Sequence, residues 1–404
     1  MPTLKNASLA PLTTGRTHRL WLLLALLVLV LVGCVPPRIG VSWPDLGTVD
    51  VYNETKIAVV FNNQVELLEP ANGAVVRLQN AEGEVRFDQD GNPRLWRVDG
   101  SNAENAQFYA TPYQLDPETL LFPAYNNRLL TVDEITSDIV SPTGIPIPGS
   151  VIAPIAANDE LFFVPLKTLG LAAVERDTEA VRWQMSTFRT GVGVWASPLL
   201  TDDVLYVPSF DHYLHALDPA TGESLWPEPV DLEGGIVSTP LLYNDHLYVG
   251  TFSHSLYKLD LDGRIVGTYE AENWIWHTPV ERDGILYFAD LSGFVHAVDA
   301  DSMQEVWSRQ VAERGIRSAP LVTDANVIVA SRDGILYWLL RGDGLVNVER
   351  ELDGRPEILS DILFVPQDEE TGVPVDLVVV GTADLARLVY AFDLDGRALW
   401  TYGR

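Results

Sequence analysis

The side chains able to do chemistry are few and unevenly placed. Cys34 is the only cysteine in 404 residues, so no disulfide staples the chain and no second thiol can complete a redox pair. Six of the seven histidines lie between His212 and His296, a clustering that raises the question of a metal. His215 and His296, however, hold the same place in a repeated pattern, and Tyr257 and Tyr390 fill that place elsewhere. A position that takes either residue reads as a half-buried strand site with a polar tip. Asp260-Leu261-Asp262-Gly263 and Asp393-Leu394-Asp395-Gly396 have the opening acids of a calcium loop without its remaining ligands, so they read as turns. The reading expects no metal site and no catalytic residue.

A second group is defined by position. Three residues before a recurring proline stand Tyr109, Val151, Trp195, Val237, Trp276 and Arg317, with Trp274, His277 and Arg314 close by. Aromatics beside an arginine in an acidic chain have the composition of a hot spot for a peptide or a small anionic ligand. Turned inward, the same tryptophans would plug a channel. Residue types alone leave both readings open. Tyr109, Trp195, Trp274, Trp276, His277 and Arg317 form the candidate ligand- or partner-binding set.

The elements that must position these residues are repeated. A small residue and proline recur at Thr111-Pro112, Ala153-Pro154, Ser197-Pro198, Thr239-Pro240, Thr278-Pro279 and Ala319-Pro320, the prolines 42, 44, 42, 39 and 41 residues apart. The next step falls on Ser360-Asp361, without the proline. After each comes a turn, a β-rich triplet such as Leu205-Tyr206-Val207 or Leu286-Tyr287-Phe288, a second turn, and another short apolar run. Such runs separated by Asp, Asn and Gly are antiparallel hairpins. Their third-strand ends fall at Glu69, Asp133, Glu175, Asp218, Asp260, Asp299, Leu340 and Asp393. Eight units imply an all-β, eight-bladed β-propeller of four-stranded antiparallel blades. Gln79 to Ala106 is expected to connect units one and two, Gln367 to Asp376 to lengthen the first hairpin of unit eight, and Ser141 to Gly149 to form a third loop. Ring closure is left open between a latch formed near Val41 to Val51 and simple packing of the ends.

Ala216 to Trp226 reads A-x-D-x-x-T-G-x-x-x-W, with weaker copies ending at Trp183 and Trp307 and one a residue shorter ending at Trp400. This pattern resembles the tryptophan-docking motif of quinoprotein-type propellers. Aspartate and Thr-Gly shape a turn, and the resemblance implies that each indole stacks on a peptide of the next blade. Two families share the repeat. Quinoprotein alcohol dehydrogenases hold pyrroloquinoline quinone (PQQ) and calcium in the central funnel, commonly with an adjacent-cysteine disulfide that this chain cannot make. The scaffold lipoproteins of the outer-membrane β-barrel assembly machinery are similar in length, signal and blade count. The second resemblance implies a protein-interaction scaffold with no cofactor. The first leaves a PQQ- and calcium-dependent oxidoreductase as the alternative, and a ligand-binding sensor is a third class.

The ends and the charge fit an exported protein. Lys5, Arg16 and Arg19 precede an apolar run from Leu20 to Val32, long enough for a signal peptide and short of the roughly 20 residues of a membrane span. Leu31-Val32-Gly33-Cys34 resembles the lipobox of bacterial lipoproteins, which implies a signal peptide over 1–33, lipidation of Cys34, a lipidated N-terminus and linker over 34–47, and a propeller over 48–404. The chain carries 27 basic and 56 acidic residues, a formal charge of −29. Such a surface repels nucleic acid and anionic headgroups, leaving membrane attachment to the lipid and partners to protein. The expected location is extracytoplasmic: the periplasmic face of the outer membrane in a diderm, the outer face of the plasma membrane in a monoderm.

Overall fold

Residues 44–80, 82–186, 191–370 and 372–404 are described by a computed structural model; the expected signal peptide and Cys34 lie outside these residues. Among the described residues, thirty-two strands form eight four-stranded sheets, each made of consecutive antiparallel strands. The blades span 45–99, 113–146, 156–185, 199–231, 241–270, 280–310, 321–351 and 363–402. First strands of neighbouring blades pack against one another and so lie innermost.

Second and third strands are apolar on both faces because both faces meet a neighbouring blade. Leu161–Leu166 and Leu377–Gly381 are buried throughout. The core is accordingly divided into eight apolar wedges, one in each seam between blades. Among the described residues the only helices are two short 3₁₀ turns, Gly100–Asn102 and Leu385–Arg387, and no helix is long and apolar enough to cross a membrane.

Three boundaries differ from the expectation. The first strand begins at Asp45, ahead of position 48, because Pro44 is buried against Gly381 of blade 8 and fills the repeat's proline position in unit one. The segment after Gln79 lies within blade 1, between its third strand and its fourth strand, Arg97–Asp99; isolated bridges such as Arg77–Leu95 and Phe87–Pro93 fold it into an arm. Ser141 to Gly149 contains the two-residue fourth strand of blade 2, Ile145–Pro146. The acidic insertion does lie between the first two strands of blade 8.

Six of the eight seams share one polar contact. Trp183 donates its indole N–H to the Pro219 carbonyl at 3.1 Å, Trp226 to Leu261 at 2.9 Å, Trp307 to Arg341 at 3.0 Å and Trp400 to Pro70 at 2.8 Å. Each acceptor immediately follows the third-strand end of the next blade. Gly222, at φ +73°, shows why glycine stands in the turn: a Cβ there would come within 2.6 Å of the Trp183 ring. Two further indoles, from positions the motif does not mark, reach the same carbonyl: Trp96 donates to Glu134 at 2.6 Å, and Trp338, on a third strand, to Leu394 at 2.9 Å. Among the described residues no indole does so between blades 2 and 3 or between blades 5 and 6; in the latter seam Tyr248 and Lys258 donate to Ala300 instead, at 2.8 and 2.9 Å.

The closing seam is of the same kind. Trp400 docks on blade 1, the Tyr402 hydroxyl donates to the buried Glu66 carboxylate, and Arg404 approaches Glu66 at 3.1 Å. Among the described residues no strand of blade 8 belongs to blade 1. The ring is therefore closed by end packing and side-chain docking, not by a shared sheet.

Candidate functional site

The residues just before each first strand converge at one mouth of the central channel. Tyr109, Trp195, Trp276, His277 and Arg317 line a cavity of about 260 Å³ together with Asp45, Val237 and Asp361. The two tryptophans wall this cavity. Trp195 is held by its indole N–H on the Lys167 carbonyl at 3.1 Å and stacks on Phe210, centroids 4.6 Å apart and planes at 12°. Trp276 carries the Arg317 guanidinium over its ring at 3.9 Å, a cation–π contact. Trp274 stands beside the lining, stacked on Phe252 at 4.5 Å and 8°. Val151 is buried away from the cavity, and Arg314 is an exposed neighbour whose guanidinium meets Glu357 at 3.3 Å.

Two residues that extend this surface were not singled out from sequence. Phe252 joins Trp274, Trp276 and Phe210 in one aromatic shelf, and Phe210 carries it on to Trp195. Both sit at the turn between second and third strands, one residue past Ser209 or Thr251. The signal was available as a second repeat position, filled by Tyr125 in blade 2 and Lys167 in blade 3.

The floor of the cavity is charged. Asp361 stands where unit eight lacks its proline; its carboxylate accepts the Ala319 N–H at 2.9 Å and meets His277 at 3.2 Å. Asp45 accepts the Thr111 N–H at 2.8 Å. Burial, and then the nearby charge of Asp361, push the Asp45 carboxyl up to about 7, against the Thr111 and Leu46 N–H groups that lower it. Burial lowers His277 more than Asp361 raises it, and Arg317 lowers it further. The Arg317 guanidinium is brought down to about 10 by burial and then by Arg332, with Asp361 and Glu357 opposing. An acidic protein thus presents, at one mouth, an aromatic shelf with an arginine and a proton-holding aspartate. That arrangement can hold an extended apolar chain with an anionic group, recognising it by stacking and a charge-assisted hydrogen bond.

Comparison with known proteins agrees with this architecture. A family described as outer membrane protein assembly factor BamB matches residues 167–277 and 262–403. Proteins of that description from Yersinia pestis and Salmonella typhimurium are 26% and 25% identical over 149 residues, 36% of this chain and 36% of each relative. The one from Pseudomonas aeruginosa is 30% identical over 108 residues, 26% of this chain and 28% of its own. The matches therefore span about a third of those relatives' length. The crystal structure of BamB from Moraxella catarrhalis superposes with a TM-score of 0.64 at 16% identity, covering 86% of this chain and 92% of that one. The computationally designed Ika8 protein gives 0.61 at 13%, covering 88% and 97%. At such identities the structural likeness speaks for the fold, and it is the family match over more than half of the sequence that places the chain: it belongs to the family of the outer membrane protein assembly factor BamB.

Proposed function

We propose that this protein is an extracytoplasmic scaffold in outer-membrane protein assembly, tethered by a lipid on Cys34, and that it grips a protein partner at the aromatic mouth of its channel. The observation that carries the reading is the shelf of Trp195, Phe210, Phe252, Trp274 and Trp276 beside Arg317, in the region matched to the family. Large half-buried aromatics next to an arginine are the residues that carry binding energy at interfaces. The outer strands of blades 5 to 7 add a second way to engage a partner, since Ile265, Val266, Val306 and Val346 stand exposed on them and such edges accept an added strand.

Trp276→Ala and Arg317→Ala are expected to cost about 2 kcal/mol or more each in partner binding, roughly thirtyfold in affinity. A photo-crosslinking residue at Phe252 in the cell envelope provides the readout: a protein adduct in the parent, lost in the double variant. An adduct that persists undiminished would remove the mouth from the proposal.

The cofactor-free reading is tested separately. The protein is expected to take up no PQQ, with or without calcium, in an absorbance and calorimetric titration. Tight one-to-one uptake would replace the scaffold by a quinoprotein oxidoreductase.

A further inference from the structure

Outside the channel, one cluster in blade 6 is built like a ligand set. His296 and Asp290 are fully buried, and Glu272 reaches them from the connection between blades 5 and 6 with its side chain 47% exposed. The His296 Nε2 lies 3.4 Å from Asp290 Oδ2 and 3.6 Å from Glu272 Oε2, and one donor atom from each residue falls within 4.8 Å of the other two. The first is also a long hydrogen bond when Nε2 carries the ring proton, and both distances exceed the ordinary 2.7 to 3.2 Å. They match the edges of a tetrahedron around an ion with ligands at about 2.0–2.1 Å, roughly 3.4 Å each.

The surroundings fix the orientation. The His296 ring stacks on Phe288 with centroids 4.8 Å apart and planes at 17°. Its Nδ1 faces the Tyr269 hydroxyl at 3.1 Å, and that hydroxyl donates its own proton to Glu305 at 2.9 Å. The Ser308 hydroxyl faces the same Nδ1 at 3.3 Å, so that nitrogen is supported in either tautomer while Nε2 stands towards the two carboxylates. Asp290 is in turn held by the backbone N–H groups of Asn273, Ser292 and Phe294, the outer-shell support that metal ligands have. Among the described residues no lysine or arginine forms an ion pair with Asp290 or Glu272.

We propose that Glu272, Asp290 and His296 bind a divalent transition metal of the zinc type, with solvent completing the fourth position on the exposed side of Glu272. One imidazole and two carboxylates suit that ion. The site ties the connection leaving blade 5 to the body of blade 6, one of the two seams in which, among the described residues, no indole docks. Its role is that of a structural clasp.

The experiment uses the full chain in detergent, stripped with a chelator, then titrated with Zn²⁺ by calorimetry and with Co²⁺ by visible absorbance. Uptake of one equivalent with a rise in thermal midpoint is expected. His296→Tyr installs the residue that the repeat carries at Tyr257 and Tyr390, so the packing has a precedent, and this variant should lose the equivalent and the thermal rise. Glu272→Gln, at an exposed side chain, should weaken uptake at least tenfold and serves if the first variant fails to fold. No stoichiometric uptake by the parent, or unchanged affinity in either variant, would overturn the site.

Discussion

Truncating Trp226 to alanine lowers the stability of the folded chain by about 3–5 kcal/mol, and Trp307→Ala does the same. Each indole is at least 94% buried in its seam. Each also satisfies a carbonyl of the next blade, so truncation leaves both a cavity and an unpaired acceptor. Tyr206 and Tyr287 lie against these indoles, at 5.9 and 6.1 Å, and lose a face of their packing. Urea unfolding followed by circular dichroism measures the effect. A thermal shift of only a degree or so would mean that the indoles contribute little to the seams.

The second large effect is electrostatic and sits at Asp45. With its carboxyl raised to about 7 in the fold and near 3.9 in the unfolded chain, Asp45 keeps a proton that the unfolded chain releases between about pH 4 and 7. The folded state binds more protons in that window, so stability falls as the pH rises through it, by on the order of 2–4 kcal/mol. Asp45→Asn retains an oxygen for the Thr111 N–H and carries no charge to repel Asp361. It is expected to match the parent near pH 4 and to exceed it by that amount at pH 8. An equal difference at both pH values would show that the charge of Asp45 is not the cause.

The fold was legible because every seam presents the same demand at the same depth. A proline before seven of the eight first strands and an acid at the end of most third strands are written into the sequence wherever the geometry repeats. What escaped notice were solutions to that demand by other means. Trp338 reaches the Leu394 carbonyl from a third strand, so a pattern keyed to the fourth strand passes over it. Lys258 and Tyr248 replace the indole altogether. Pro44 follows Trp43 instead of a small residue, which hid the seventh copy of the proline step. The aromatic mouth was half legible. Trp195 and Trp276 share a repeat position, but whether they would plug or wall the channel depends on turn geometry that period-two alternation does not encode. Asp45 and Asp361 come from the two ends of the chain and meet only because the ring closes. The Glu272 cluster was hidden for a related reason: the repeat explains His296 as a tyrosine substitute, and only the path of the inter-blade connection brings Glu272 to it.

Closure by docking, with no strand exchanged between the ends, gives the molecule the connectivity of a one-dimensional array with a periodic boundary. Each blade touches two neighbours, and the eighth interface is of the same kind as the rest. Weakening one interface turns the circle into an open row, in which every blade still has at least one intact neighbour. Weakening a second, distant one divides the row into two arcs, each with two unsupported ends. Damage to a single interface is therefore absorbed locally, whereas damage to a second divides the ring.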